Sequence, residues 1–244
     1  MKGPFFRAHE LATGRIPQID AHMHTALTDG KGSLEDYILR AKELALTAIA
    51  FTEHADDTSS WFEGYAQNKE RLRKLAFPIQ VYLAAEVKVA HTDGRLALSE
   101  PRLSMADFIV GVLHRYPNGD GGYFSFKELQ RAAALEIDYR LSLALVANPV
   151  VDVFGHPAGV FSTFFGEYDR DKLRHLITVA ASRGKVIELN SHPRYRHVFP
   201  VILERCLELD CLVSIGSDAH SPDKLGHVVT ALTSAMNHRA SPSN

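Results

Sequence analysis

Short apolar runs along this chain repeatedly end on a histidine or a carboxylate. Nine residues fall at such places: His22, His24, Asp29, His54, Glu86, His114, His156, Asp218 and His220. The densest groups are His22-Met23-His24, Thr52-Glu53-His54, Gly155-His156-Pro157 and Ser217-Asp218-Ala219-His220. Polar groups at the end of nearly every strand need a fold that gathers strand ends onto one rim. A parallel α/β barrel does this, whereas an open doubly wound sheet offers a single crevice. Imidazole and carboxylate donors together suit Zn, Mn or Fe, while Ca and Mg favour all-oxygen sites. Nine such groups exceed the needs of one four-coordinate ion and point to a cluster.

The order of elements supports the same architecture. Residues 16–22 read as a first strand. Ser33 is placed to cap a helix, with Asp36 three positions on, and Leu34, Tyr37, Ile38, Ala41, Leu44 and Ala45 follow at helical spacing. Strand-like runs then cover 48–52, 79–89, 108–113, 150–154, 186–189 and 212–215, which makes about seven strands in all. Residues 92–95, Thr-Asp-Gly-Arg, read as a hairpin turn. Helical patterns fall between the strands: a charged, solvated one over 66–76, two helices within 125–147, amphipathic faces around Leu173–Ala180 and Phe199–Leu207, and a last helix with Pro222 in its first turn. Alternating strands and helices are the grammar of a parallel α/β architecture, and the polar strand ends favour its closure into a barrel. No repeat or low-complexity linker divides the 244 residues, so one unit is expected, with its core over about 17–235 and a polar tail after Arg239.

Composition excludes several functions. A formal net charge of −2 argues against a broad nucleic-acid platform. The longest apolar stretch, 141–153, is interrupted by Asn148-Pro149 and is too short to span a membrane. No secretory signal is evident, which predicts a cytoplasmic protein with no membrane partner. Cys206 and Cys211 match no zinc or redox spacing and read as small core residues.

A lone buried histidine is more often a hydrogen-bonded core residue than a ligand. His9, His91, His175, His197, His227 and His238 are read that way. The strand-end set differs. His22 and His24 project to the same side of an extended segment, because strand side chains alternate, and Asp218 and His220 repeat the arrangement. Burying so many titratable groups without a cation would be costly.

At these residues the chain resembles the PHP family, named for polymerase and histidinol phosphatase. The family pattern Asp-x-His-x-His-Thr followed by Asp-Gly is matched by Asp20–Thr25 and Asp29-Gly30, and Thr-Asp-His by Thr52-Glu53-His54. Glu86, His114, His156-Pro157, Glu188-Leu189-Asn190 and Ser217–His220 match the later motifs, so the resemblance runs from residue 17 to about 225. It implies a distorted (β/α)7 barrel with two or three divalent ions in a cleft. His22, His24, Glu86 and Asp218 would hold one ion, while Glu86, His114 and His156 would hold a second. Asp29, His54 and His220 would hold the third. Some members carry His at the position of Asp29, a swap that tunes the metal. Glu53 replaces the usual Asp and is not counted as a ligand. Asp20 is expected to orient a histidine ring.

The chemistry this implies is hydrolysis of a phosphate ester by metal-activated hydroxide, with charge on the phosphoryl oxygens neutralised by the ions. Arg194 and Arg115 are candidates to clamp the phosphate through two oxygens. His220 or His192 would protonate the leaving oxygen. The partner is a small phosphorylated substrate, with nucleic acid entering only as substrate. Both monoester and diester remain open, and the segment around Glu86-Val87-Lys88 resembles the PHP domain of family X polymerases. Gly119–Gly122 reads as a flexible edge loop or lid, and Trp61 and Phe62 as packed aromatics that alternatively stack on a ring. The rival readings are an amidohydrolase-type barrel and a non-catalytic accessory module. The first would need fewer ions, and the second would have lost ligands.

Overall fold

The computed structural model describes residues 3–240, so the last four residues of the expected polar tail lie outside it. Eight strands form one sheet: β1 (Phe6–Arg7), β2 (Ile19–Asp20), β3 (Ala48–His54), β4 (Gln80–Lys88), β5 (Ile109–Val112), β6 (Val153–Phe154), β7 (Val186–Asn190) and β8 (Leu212–Gly216). From β2 to β8 each strand pairs in parallel with the next. The helices are α1 (His9–Ala12), α2 (Leu34–Glu43), α3 (Phe62–Gln67), α4 (Lys69–Ala76), α5 (Glu100–Leu103), α6 (Arg131–Ala147), α7 (Gly159–Phe165), α8 (Arg170–Ser182), α9 (Phe199–Leu209) and α10 (His227–Ala240).

Hydrogen bonds join the first parallel strand to the last. Ala21 N–H donates to Ile215 O at 2.8 Å and His24 N–H to Ala219 O at 2.9 Å. Lower down, the edge of β8 is occupied instead by β1, which pairs antiparallel with Phe6 opposite Val213. A seven-stranded parallel barrel that closes at one end and is wedged open at the other is the distorted (β/α)7 form expected from the sequence.

Several expectations are adjusted. The first strand is laddered only at Ile19–Asp20. Pro17 has no N–H to give, so pairing cannot begin at residue 16. The two-residue β1 had no periodicity to announce it. The two helices expected within 125–147 are one, α6, because 131–147 contains no glycine or proline to break it. Conversely, the charged stretch near 66–76 is split between α3 and α4. Pro222 opens a separate one-turn 3-10 helix, and α10 starts only at His227. The cap at α2 is as read: Asp36 N–H donates to Ser33 Oγ at 3.2 Å, and Ser33 N–H donates back to Asp36 Oδ2 at 2.7 Å.

The strands place chemistry by their period of two. On β3, β4, β5 and β7 the inward positions run Ala50-Thr52-His54, Ala84-Glu86, Val110-Val112-His114 and Val186-Glu188-Asn190. The lower members of these series, Ala50, Ala84, Val110, Val112 and Val186, pack with Phe108 into one apolar cluster. The upper members are polar and share the open rim. Outward residues such as Phe51 and Phe154 are buried under the helices. Cys206 and Cys211 are free and buried, as their spacing implied.

Candidate metal centre

All nine strand-end residues converge on this rim. Glu86, buried at the end of β4, lies at their centre. Its Oε1 is 2.8 Å from His156 Nε2, 3.4 Å from His22 Nε2 and 3.5 Å from His114 Nε2. Its Oε2 is 2.6 Å from His54 Nδ1 and 3.6 Å from His24 Nε2. Asp218 Oδ1 is 3.4 Å from His24 Nε2 and 3.8 Å from His22 Nε2. Asp29 Oδ2 is 3.3 Å from His54 Nε2 and 3.4 Å from His220 Nε2.

Most of these separations are too long for hydrogen bonds, yet they fit donors sharing an ion. Two ligands bonded at 2.0–2.2 Å in a tetrahedron lie roughly 3.3 Å apart. Three groupings can each hold one: His22, His24 and Asp218; His54, Glu86 and His114; and His24, Asp29, His54 and His220, each with ligand atoms within 4.8 Å of one another. His156 joins through Glu86 and through its ring, stacked on His114 at 5.4 Å.

Unsatisfied donors and acceptors mark the same place. Glu188, a carboxylate acceptor, receives His22 Nδ1–H at 2.6 Å. That fixes the tautomer of neutral His22 and turns its Nε2 lone pair toward His24 Nε2, only 3.1 Å away. Two ring nitrogens this close require a proton or a cation between or beside them. His24 Nδ1 is buried with no hydrogen-bond partner, and Glu86 Oε2 meets His54 Nδ1 at 2.6 Å without hydrogen-bond alignment. The residues present therefore fit divalent ions.

The electrostatics describe a site that binds protons where it would otherwise bind metal. Burial works to lower the pKa of His22, but Glu188, Glu86 and Asp218 outweigh it and raise it well above the usual range. His54 is likewise opposed by burial and pushed up to about 10, chiefly by Glu86 and Asp29. His24 is lowered to about 4 by burial. Glu86 is held well below the usual carboxylate range: burial opposes this, but His114, His22 and His54 prevail. Hydrogen bonding from His54 lowers Asp29. Asp218 is lowered as well, its burial outweighed by His22 and His24.

The supporting residues differ in part from expectation. Asp20 does not orient a ring. It accepts from Ser217 N–H and hydroxyl, and from Gly226 N–H, tying β2 to the β8 turn. Glu188 performs the orienting role, gripping both the His22 ring and the backbone N–H of His156 at 2.6 Å. Its motif was visible, but not which histidine it faces. Gly216 makes room for it, since a Cβ there would lie 2.4 Å from His22 Cβ and 2.6 Å from Glu188 Oε1. Glu53, as read, is no ligand; it accepts from Thr25 N–H and the Thr28 hydroxyl. Tyr195, not singled out from the sequence, stacks on His156 at 5.1 Å. His156 and Asp218 have φ of 23° and 54°, a strained conformation for non-glycine residues.

Arg194 and His192 line a recess of about 720 Å³ with Asp29, Asp218 and His220. Arg115 lines a recess beside His54, Glu86 and His114, and a second one of about 780 Å³ walled by aromatics. His220 Nδ1–H donates to Asp218 O at 2.9 Å, which leaves Nε2 toward Asp29. His192 Nδ1 accepts from Arg194 N–H at 3.3 Å, and burial lowers its pKa. Phe62 is fully buried and Trp61 packs on Tyr65 at 5.3 Å, so these aromatics stabilise a loop and do not face the site. Gly119–Gly122, read as a flexible edge loop or lid, forms the tip of a hairpin, with Asn118 N–H on Gly122 O at 3.0 Å. Of the histidines read as ordinary, His9 bonds Asp210 and His175 bonds the Tyr139 hydroxyl.

Residues 20–192 match the model of the PHP domain family. A protein named probable phosphatase from Caldicellulosiruptor bescii is 24% identical over 218 residues, covering 86% of this chain and 82% of its own. DNA polymerase/3'-5' exonuclease PolX of Bacillus subtilis is 23% identical over 223 residues, covering 88% of this chain but 36% of its own. The crystal structure of histidinol phosphate phosphatase from Lactococcus lactis, complexed with zinc, L-histidinol and phosphate, has the same fold. It superposes with a TM-score of 0.66 at 19% identity, covering 89% of this chain and 93% of that one.

Proposed function

Since the chain belongs to the PHP domain family, we propose that it is a metal-dependent hydrolase of phosphoric esters, with a site for three divalent ions. The observation that carries this reading is the buried Glu86 carboxylate, ringed by His22, His24, His54, His114 and His156, more imidazoles than its two oxygens can hydrogen-bond. His22, His24, Glu86 and Asp218 would hold one ion, Glu86, His114 and His156 a second, and Asp29, His54 and His220 a third. Bound there, Zn, Mn or Fe would supply hydroxide near neutral pH and offset charge on the phosphoryl oxygens.

The chain's own residues do the rest. Glu188 holds the His22 ring so that its Nε2 faces the centre. Arg194 and Arg115, lining separate recesses along the rim, would contact the non-bridging oxygens, and their planar forks suit bidentate contact. His220 donates Nδ1–H to Asp218 O, and its Nε2 faces Asp29, where it would serve the third ion as a ligand. His192 has only Nδ1 engaged, accepting from Arg194 N–H, so its neutral ring carries its hydrogen on Nε2, free to hydrogen-bond the leaving oxygen.

A monoester is the favoured substrate, because the probable phosphatase is matched over most of its length and PolX over about a third. The amidohydrolase reading loses ground because Glu86, not a lysine, lies between the ion groupings. An accessory role fits poorly with nine ligands in place.

The test is a screen of protein loaded with Mn or Zn against p-nitrophenyl phosphate, its bis diester, histidinol phosphate and a short oligonucleotide. Turnover of monoesters is expected, and Arg194→Ala should lower kcat/KM by roughly 10²-fold. A fully loaded protein that hydrolyses none of the four would contradict the proposal.

A further inference from the structure

Beside the ion groupings lies a recess with an unusual wall. It opens at His114 and Arg115 and is lined by Tyr123, Phe124, Phe126, Lys127 and Phe164. Phe126 and Phe164 pack with centroids 4.4 Å apart, yet Phe164 remains 58% exposed and Phe124 39%. Phenylalanines left open in a concave surface, next to polar groups, are characteristic of ligand sites.

The cations there are also uncommitted. Elsewhere most arginines are committed: Arg73 pairs with Asp107, Arg170 with Glu204 and Arg205 with Glu208. Among the described residues, Arg115 and Lys127 have no carboxylate partner and no side-chain hydrogen bond. Arg115 lies over the Tyr123 ring at 5.7 Å, which keeps its guanidinium at the mouth of the recess.

The wall is fixed in place. Phe124 N–H donates to Tyr116 O at 2.9 Å, closing the hairpin that carries Tyr123 and Phe124. Beneath it, the Tyr116 hydroxyl donates to the buried Asp138 at 2.8 Å. A preformed aromatic wall with two uncommitted cations matches a flat ring bearing negative charge. Because His114 and Arg115 line both this recess and the one at Glu86, a molecule held at the ion groupings extends into it directly.

We propose that this recess is the leaving-group subsite, and that it selects phosphate esters of aromatic or heteroaromatic alcohols carrying an anionic group of their own. The proposal rests on the phosphoesterase reading and adds the substrate class to it. Phe124 and Phe164 would stack on the ring and Lys127 would face its charge, while Arg115, at the mouth shared by both recesses, stays with the phosphate.

Butyl, benzyl and 4-carboxybenzyl phosphate separate these effects, because all three leave as alkoxides of similar basicity. The wild-type protein should prefer them in ascending order, by roughly tenfold or more from first to last. The double variant Phe124→Ala/Phe164→Ala should lose that preference while keeping butyl phosphate turnover within about twofold. Lys127→Ala should remove only the preference of 4-carboxybenzyl over benzyl. A binding readout is independent of turnover: saturation transfer from metal-free protein to 4-carboxybenzyl alcohol should be seen, and lost in the double variant. Equal loss on all three esters, no change, or an aromatic patch that proves to be a self-association surface abolished by Phe164→Ala would overturn the subsite. If the wild type hydrolyses none of the esters, the phosphoesterase reading fails, and the saturation-transfer result alone decides the subsite.

Discussion

At the scale of single residues, the arrangement depends on a few carboxylates facing several imidazoles at ligand-to-ligand distances. Glu188→Gln should leave the fold intact by circular dichroism but weaken metal binding by roughly 10- to 100-fold, because the amide cannot hold the His22 ring as a carboxylate does. Unchanged affinity in a chelator competition would contradict the role assigned to Glu188. Proton competition gives a second test. His54 has a pKa raised to about 10 and His22 one raised well above its usual range, so both carry protons at neutral pH that an incoming ion must displace. Apparent affinity should therefore fall as pH drops from 8 to 6.5, with proton release visible by calorimetry in buffers of different ionisation enthalpy. A pH-independent affinity would mean that these histidines are not ligands. The nine residues themselves were legible because each closes an apolar run. The partner of His22 was not, since a sequence does not say which neighbouring strand turns its carboxylate toward a given ring. The sequence pointed to Asp20 for this role, and only the placement of β2 and β7 gives it to Glu188.

At the scale of elements, the strand ends hold the ion groupings while the segment after β5 builds the substrate wall. That segment is anchored by Asp138 on α6, which accepts from Tyr116 and has Oδ1 buried without a partner. Burial raises the Asp138 pKa to about 6 even though Tyr116 acts to lower it. Because the folded pKa lies above the unfolded one, the protonated form stabilises the fold below about pH 4, and that stabilisation is lost as pH rises through 6. A shift of this size corresponds to about 3 kcal/mol. Asp138→Asn should thus gain stability relative to wild type by up to that amount between pH 4 and 7.5, read from urea unfolding of both proteins. A constant difference across that range would show that Asp138 does not titrate as described. Elements with period were legible, including the capping box at α2. The two-residue β1 was not, because a pair of residues has no period, nor was the hairpin around Gly119–Gly122, because glycines mark a turn without telling what it pairs.

At the scale of the whole molecule, barrel closure makes nine residues spread over nearly 200 positions act as one site. The bonds from Ala21 to Ile215 and from His24 to Ala219 bring the first and last motifs together. An open sheet would leave His22 and Asp218 on opposite edges, and the 3.8 Å between them would be impossible. The barrel was legible from alternation alone; the wedge of β1 against β8 was not. Variants should report the groupings through metal content. Glu86→Gln should lose two ions per chain, because the proposed assignment shares Glu86 between two of the three ions. His54→Ala should lose the ion shared with Asp29 and His220, and should also weaken the one nearest Glu86, which His54 touches at 2.6 Å.

The central claim is that a cluster of ions held by these nine residues makes the chain a phosphoesterase. The most direct measurement is metal content per chain by mass spectrometry, followed alongside p-nitrophenyl phosphate hydrolysis as ions are returned to chelator-stripped protein. The account predicts no activity in the stripped protein, recovery as the content rises past two, and a plateau at three. Full activity in the stripped protein, or a plateau at one ion, would contradict it.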